Sequence, residues 1–301
     1  MKTIKLKYFT TGIMFLLVLA SCNDLDRFPH DAIERSQSFQ SVQDASNWNT
    51  GMYGQLRNRV YGLYMYSTDI QADQLNATLD YGNRNGGVHR WDFLADDYTI
   101  RDTWQSYYSG ITSINAAIEG FETIETETEE EAAELNQYIS EAYLTRAYYY
   151  HQLILRFSKS YDPATASSDL GVPLMLEYDI ENFAPRSSVQ AVYDQILADI
   201  ETARDGLADV PGVQGSKYYT SDVVTALEAR VKFYMQDWQG AKEAADELIT
   251  SGRYPLITSE EGLMAYWYQD GGQEDILQLF VSAPDELANT NSIYLGFNGG
   301  T

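Results

Sequence analysis

The chain has 301 residues, 44 Asp and Glu against 20 Lys and Arg, a formal charge of −24 and one cysteine. So acidic a balance excludes a nucleic-acid binder, which needs clustered Lys and Arg for phosphate contacts. A single thiol excludes an internal disulfide framework, and a chain of this length buries a core without one.

Lys2, Lys5 and Lys7 precede an uncharged stretch from Tyr8 to Ala20, followed by Ser21 and Cys22. That order of charge, apolar run and small residues is the pattern of a secretory signal peptide. The run falls short of the about 20 apolar residues that a membrane-spanning helix needs. Within "FLLVLASCNDL", Leu19-Ala20-Ser21-Cys22 resembles the lipobox of bacterial lipoproteins. There the sulfur takes a diacylglyceryl group and, after cleavage before the cysteine, the freed amine takes another acyl chain. Residues 1–21 are read as a lipoprotein signal peptide and Cys22 as the lipid attachment site, with a chance free cysteine as the alternative. One acyl chain anchors marginally and two or more hold stably. Cleavage removes three lysines and no acid, so the mature body is more negative still and relies on its acyl chains to stay on a membrane. Residues 22–40 contain Pro29, keep no period and read as a tether.

Ala45, Trp48, Met52, Leu56, Val60 and Leu63 recur at spacings of three and four and predict a helix over 42–65. The period fades between 66 and 103, where "DYGNRNGGVHRWDF" predicts a long irregular stretch. It resumes at Trp104 through Tyr107, Ile111, Ile114, Ile118 and Phe121. The acidic run "ETIETETEEEAAE" then leads into a helix lined by Leu135, Tyr138, Ile139, Ala142, Tyr149, Leu153 and Phe157. Glutamates suit the positive end of the helix dipole, so a solvated helix start is the reading, with a calcium or partner site as the alternative.

A loop from Ser158 to Pro185 follows, and Ser187 with Gln190 forms a capping-box pattern that opens a helix through Val192, Ile196, Ile200 and Leu207. After "DVPGVQGSKYYTS" two helices are predicted, hinged near Asp237 and stopped by Gly252. Ala226 and Ala229 on the first and Ala241 and Ala245 on the second give small-residue stripes that permit close approach, with Trp238 packing across the pair. This is the logic of a tetratricopeptide-like hairpin, although no 34-residue period is sustained. Beyond 253, "AYWYQD" reads as an aromatic loop and "DILQLFV" as a strand, and the chain stops at "IYLGFNGGT" without a closing helix. The fold expected is mainly α, with tetratricopeptide-like hairpins, long irregular loops and a little β. Residues 41–301 form one helical domain, expected to be cut short at its C-terminus.

Five segments in this order, behind a lipobox, resemble the SusD/RagB family of outer-membrane nutrient-binding lipoproteins of Bacteroidetes. They are "SCNDLDRFP", "WQSYYSGITSINAAIE", "AYLTRAYYYHQLILRF" with "DLGVPLML", "PRSSVQAVYDQILADIETARDGL" and "ALEARVKFYMQDWQGAKEAADELITSGRYPL". The resemblance implies a lipid-anchored protein on the cell exterior whose partner is a SusC-like TonB-dependent transporter, a β-barrel over which it sits as a hinged lid. It also implies capture of an oligosaccharide, or less often a peptide, before import. The motif residues Arg146, Tyr149, Tyr150, Trp104, Asn115, Ala229 and Trp238 read as scaffold rather than ligand contacts.

A glycan site needs exposed aromatic faces flanked by planar hydrogen-bonding groups, placed on loops. Two candidates meet this: Tyr81, Asn83, Arg84 and Trp91 in the first irregular stretch, and Tyr266, Trp267 and Tyr268 near the C-terminus. Burial against the helices is the alternative for both. Catalysis finds no marked carboxylate pair, GxSxG or phosphate loop, and the three histidines, His30, His89 and His151, keep no metal-ligand spacing. No catalytic residue, metal or cofactor is assigned. The rival readings are a tetratricopeptide-like protein-interaction scaffold and a lipid-anchored glycoside hydrolase.

Overall fold

The computed structural model describes residues 37–60, 63–75, 85–269 and 271–279. The chain divides into two compact units, Met1–Ser38, of which only residues 37 and 38 are described, and Phe39–Thr301, which holds every element named below. The signal peptide, Cys22 and most of the tether lie outside the described residues.

Helix α1 spans Val42–Val60 and α2 spans Leu63–Gln71. A four-residue helix, α3, occupies Gly86–His89. The two long helices are α4, Tyr98–Phe121, and α5, Glu129–Phe157. A short antiparallel ribbon of β1, Leu170–Pro173, and β2, Arg186–Ser188, interrupts the helices, pairing Leu170 with Ser188 and Pro173 with Arg186. Then come α6, Val189–Leu207, α7, Ser221–Tyr234, α8, Trp238–Ser251, and α9, Glu260–Gln269. No helix among the described residues is long and apolar enough to cross a membrane.

Local chemistry sets the helix ends. Thr128 caps α5 by accepting from the Glu131 N–H, and three glutamates fill the first turn, as the helix dipole favours. Asp237 caps α8 by accepting from Gly240 N–H, and Gly252 ends it at φ 65°, the left-handed conformation in which glycine meets no Cβ penalty. These two ends match the hinge and stop read in the sequence. Helix α6 departs by one residue: its cap is Ser188, which accepts from Ala191 N–H, while Gln190 is bonded to Asp194 and Tyr161 instead of closing a box with Ser187.

Helix α5 is the hub, packing against α6, α4 and α1. Its buried residues lie all around it, from Leu135 to Ile154. Tyr107, Ile111, Tyr149, Tyr150, Leu153, Ile196 and Ile200 are among the fully buried side chains of this core. Each aliphatic side chain among them contributes about 1.5–3 kcal/mol on leaving water. Close approach of α5 and α6 depends on Gly206, where a Cβ would stand 2.0 Å from Ser140 Oγ. Helices α7 and α8 form the expected hairpin. Gly240, Ala241 and Ala244 are the buried small residues on α8, with Ala245 half-buried, and the Trp238 ring meets Phe233 at 5.3 Å across the turn while staying largely exposed.

Four polar residues of the quoted motifs, Tyr108, Asn115, Arg146 and Tyr150, bind one strap of backbone. Tyr108 donates to Pro173 C=O at 2.8 Å, and Asn115 donates to the carbonyls of Met175 and Glu177 at 2.9 and 3.1 Å. The Tyr150 hydroxyl donates to Met175 C=O and accepts from Met175 N–H, both at 2.7 Å, while Arg146 reaches Leu176 C=O at 3.3 Å. Helices α4 and α5 thus hold the extended segment after β1. Buried backbone groups need such partners.

Four expectations need correction. The stretch 66–103, read as irregular, holds most of α2 and the short α3 before α4 begins. Helix α4 begins at Tyr98 rather than Trp104, because Asp97 caps it by accepting from Thr99 N–H while the first turn carries few apolar residues to show a period. The aromatic loop "AYWYQD" is the end of α9, whose residues include none that are buried, so no apolar stripe marks it. Within "DILQLFV" the described residues make only an isolated parallel bridge, Leu277 to Ser216, and residues 280 and 281 lie outside the described set.

Candidate functional site

A cavity of about 890 Å³ opens where α2, the turn after α3, the start of α4, the C-terminal half of α5 and parts of α6 and α7 meet. The size suits a small-molecule site, where about 300–1,000 Å³ is usual. Aromatic groups supply much of its wall: Tyr64, Trp91, Phe93, Tyr148, Phe157, Tyr161, Tyr193 and Tyr234. Polar lining comes from Gln71, Gln152, Ser67 and Thr68 among others.

Trp91 has the most unusual backbone of the group. Helix α3 ends in a pair of bonds, Trp91 N–H to Val88 C=O at 3.2 Å and Asp92 N–H to Gly87 C=O at 2.8 Å. That is the Schellman pattern, in which the residue after the C-cap takes a left-handed conformation and is usually glycine. Here it is Trp91, at φ 57°. A left-handed L-residue costs roughly 1–2 kcal/mol, and such strain gathers at functional sites. Gly87 permits the closure, since a Cβ there would meet Asp92 O at 2.8 Å. The indole is 66% exposed, its Nε1–H donates to Gln71 C=O at 3.1 Å, and its ring sits 6.1 Å from that of Phe93. An exposed aromatic face is therefore fixed by a strained turn at one end and a hydrogen bond to the last residue of α2 at the other.

Asn85 precedes α3, also left-handed at φ 61°, and its Oδ1 accepts from the Tyr98 hydroxyl at 2.9 Å. This bond ties the turn to the first turn of α4. Behind the cavity wall, His151 is wholly buried between the rings of Tyr193 and Tyr234, and neither ring nitrogen has a hydrogen-bond partner. Burial, reinforced by the Arg230 guanidinium, lowers its pKa to about 3, so the imidazole stays neutral.

Of the residues read from the sequence as ligand contacts, Trp91 lines the cavity, and Tyr81, Asn83 and Arg84 lie outside the described residues. Tyr266, Trp267 and Tyr268 do not line it. Tyr266 donates its hydroxyl to Asp275 Oδ1 at 2.7 Å, and Trp267 and Tyr268 stand 76% and 85% exposed on α9. Sequence reasoning missed Phe93, Tyr64, Tyr148, Arg156 and Arg230, which share the cavity although they come from different elements. "RWDF" already places Phe93 two residues from Trp91; the others sit within helical periods and carry no local signal. Arg146 and Asn115, read as scaffold, are buried and bonded to each other at 2.9 Å. Among the described residues no group of three His, Cys, Asp or Glu could hold a metal ion.

Comparison with known proteins gives a consistent result. A profile of the SusD-like family, described as starch-binding and associating with the outer membrane, matches residues 25–234. SusD-like protein P38 of Formosa agariphila is 28% identical over 267 residues, covering 85% of this chain and 48% of its own. Among solved structures, a SusD superfamily protein from Bacteroides thetaiotaomicron superposes with a TM-score of 0.70 at 24% identity, over 82% of this chain and 54% of its own. A laminarin-binding SusD-like protein superposes with a TM-score of 0.57 at 19% identity, over 74% and 46% of the two chains. The chain spans about half the length of the relatives it matches.

Proposed function

Because the chain belongs to the SusD-like family, we propose that it is a glycan-capture lipoprotein: Cys22 anchors it in the outer membrane facing the exterior, the cavity beside Trp91 takes an oligosaccharide, and a SusC-like TonB-dependent transporter receives it. The observation that carries this reading is the exposed Trp91 indole, held in a strained turn at the mouth of an aromatic cavity. Sugar rings present a face of C–H groups that packs on such a ring, with hydroxyls left for Gln71, Gln152 and the phenols. The family description as starch-binding and the laminarin-binding relative favour a carbohydrate over a peptide. Tyr81, Asn83, Arg84, Tyr266, Trp267 and Tyr268 are further candidates for ligand contact.

The mechanism is binding without bond cleavage. Catalysis would require two carboxylates about 5–10 Å apart across the scissile bond, and among the described residues the cavity wall has none. The test is affinity electrophoresis and calorimetry of the full-length protein against a polysaccharide panel, with reducing ends assayed in parallel. Retention by at least one glycan without new reducing ends is expected; release of reducing ends would make it a hydrolase, and retention by none would overturn the glycan reading.

A further inference from the structure

The cavity wall differs in charge from the rest of the molecule. The chain carries more than twice as many acids as bases. Yet the described residues lining the cavity include Arg156, Lys159 and Arg230 and no Asp or Glu. At the chain's overall frequency of acids, a wall of this extent would hold several.

Nor are the two arginines neutralised by neighbours. Arg156 gives its Nη1 to Thr68 Oγ1 at 2.8 Å and to Ser67 Oγ at 3.4 Å, and its Nη2 to the Tyr64 carbonyl. All three acceptors are uncharged, and its buried Nε has no partner. Arg230 is exposed and forms no ion pair among the described residues. Lys159 differs, since Asp169 takes its ammonium at 2.5 Å. Of the carboxylates in neighbouring segments, Asp97 caps α4 and Asp73 faces His89 at 3.7 Å, while Asp69 and Asp92 do not line the cavity. Tyr148 feels both guanidiniums, which oppose the upward push of burial on its phenol. One stretch of wall therefore carries both positive charges.

Resting on the reading of this cavity as the glycan site, we propose that its ligand is an anionic oligosaccharide, one bearing carboxylate or sulfate groups, with Arg156 and Arg230 as the groups that recognise the charge. Guanidinium forks match carboxylate and sulfate oxygens in two-point contacts, and such charge-assisted bonds are stronger than those between neutral groups. The acidic body does not defeat this attraction, because charges beyond about 8 Å are screened at physiological salt while a seated ligand lies within contact distance. A wall without carboxylates also lacks the strongest acceptors for neutral sugar hydroxyls.

The test compares twin ligands by calorimetry on the full-length protein at fixed ionic strength. Oligogalacturonate, alginate, chondroitin sulfate and carrageenan fragments are measured beside their carboxyl-reduced or desulfated forms, with starch, laminarin, xylan and mannan fragments as neutral probes. A charged probe is expected to bind at least about tenfold more tightly than its neutral twin. Its chemistry tells carboxylate from sulfate. Arg230→Gln, at an exposed position, is expected to reduce that ratio several-fold while leaving thermal stability unchanged. Binding of neutral probes alone, equal binding of twins, or a ratio untouched by Arg230→Gln would overturn the anionic inference and leave the glycan reading standing. Binding of no probe would overturn the glycan reading itself.

Discussion

Arg146 and Asp199 meet in a two-point ion pair, Nε to Oδ2 at 2.8 Å and Nη2 to Oδ1 at 2.7 Å, with both side chains buried. The pair joins α5 to α6, and a third arm of the guanidinium reaches Asn115 on α4. Removing one partner of a buried pair strands the other charge, at a cost of roughly 3–5 kcal/mol. Arg146→Met is expected to lower stability by that amount in urea unfolding. A double substitution, Arg146→Met with Asp199→Leu, should recover much of the loss, since apolar replacement of both partners leaves no orphan charge.

Asp222 gives an acid-sensitive contact. Burial alone would raise its carboxyl, but Arg253, bonded through two nitrogens at 2.6 Å each, and the Tyr254 hydroxyl at 2.9 Å outweigh burial and hold it below the ordinary carboxylate range. A depressed folded-state pKa adds stability that is present above the unfolded value of about 3.9 and is lost as pH falls through the lower folded value. Arg253→Met should therefore destabilise the protein at pH 7 and do so progressively less as the medium is acidified below about pH 4. Melting temperatures of the two proteins across that range check this; a constant difference would count against it.

His151 titrates in the opposite structural setting, with no partner at all. The unfolded imidazole takes a proton near pH 6.5, the folded one only near pH 3. Its contribution is thus complete above about pH 6.5 and is lost steadily as pH falls toward 3. His151→Phe keeps a ring against Tyr193 and Tyr234 and removes two unsatisfied nitrogens. The variant should match or exceed the parent by up to about 1 kcal/mol at pH 7, and its advantage should grow on acidification.

These contacts show what a sequence exposes. Helices α5, α6, α7 and α8 were legible because buried residues such as Leu153, Ile196, Val224 and Ala241 recur at helical spacing. Helix α9 was not, because it buries no residue and so shows no period. The motif residues were recognisable as a set, but the task shared by Tyr108, Asn115, Arg146 and Tyr150, holding the strap around Met175, depends on helices that are distant in sequence. The site was legible in one residue. Trp91 stands out in a glycine-rich polar stretch, whereas Arg156 and Arg230 lie within helical periods and become neighbours of the same cavity only after folding.

Trp91 also allows binding to be separated from folding. Its left-handed backbone suits glycine, so Trp91→Gly should relieve strain rather than create it. The most direct measurement is the affinity of full-length Trp91→Gly for the glycan that the parent binds, taken with its melting temperature. An affinity reduced about tenfold or more, with a melting temperature equal to or above the parent's, is the predicted result. An unchanged affinity would contradict the assignment of this cavity as the glycan site.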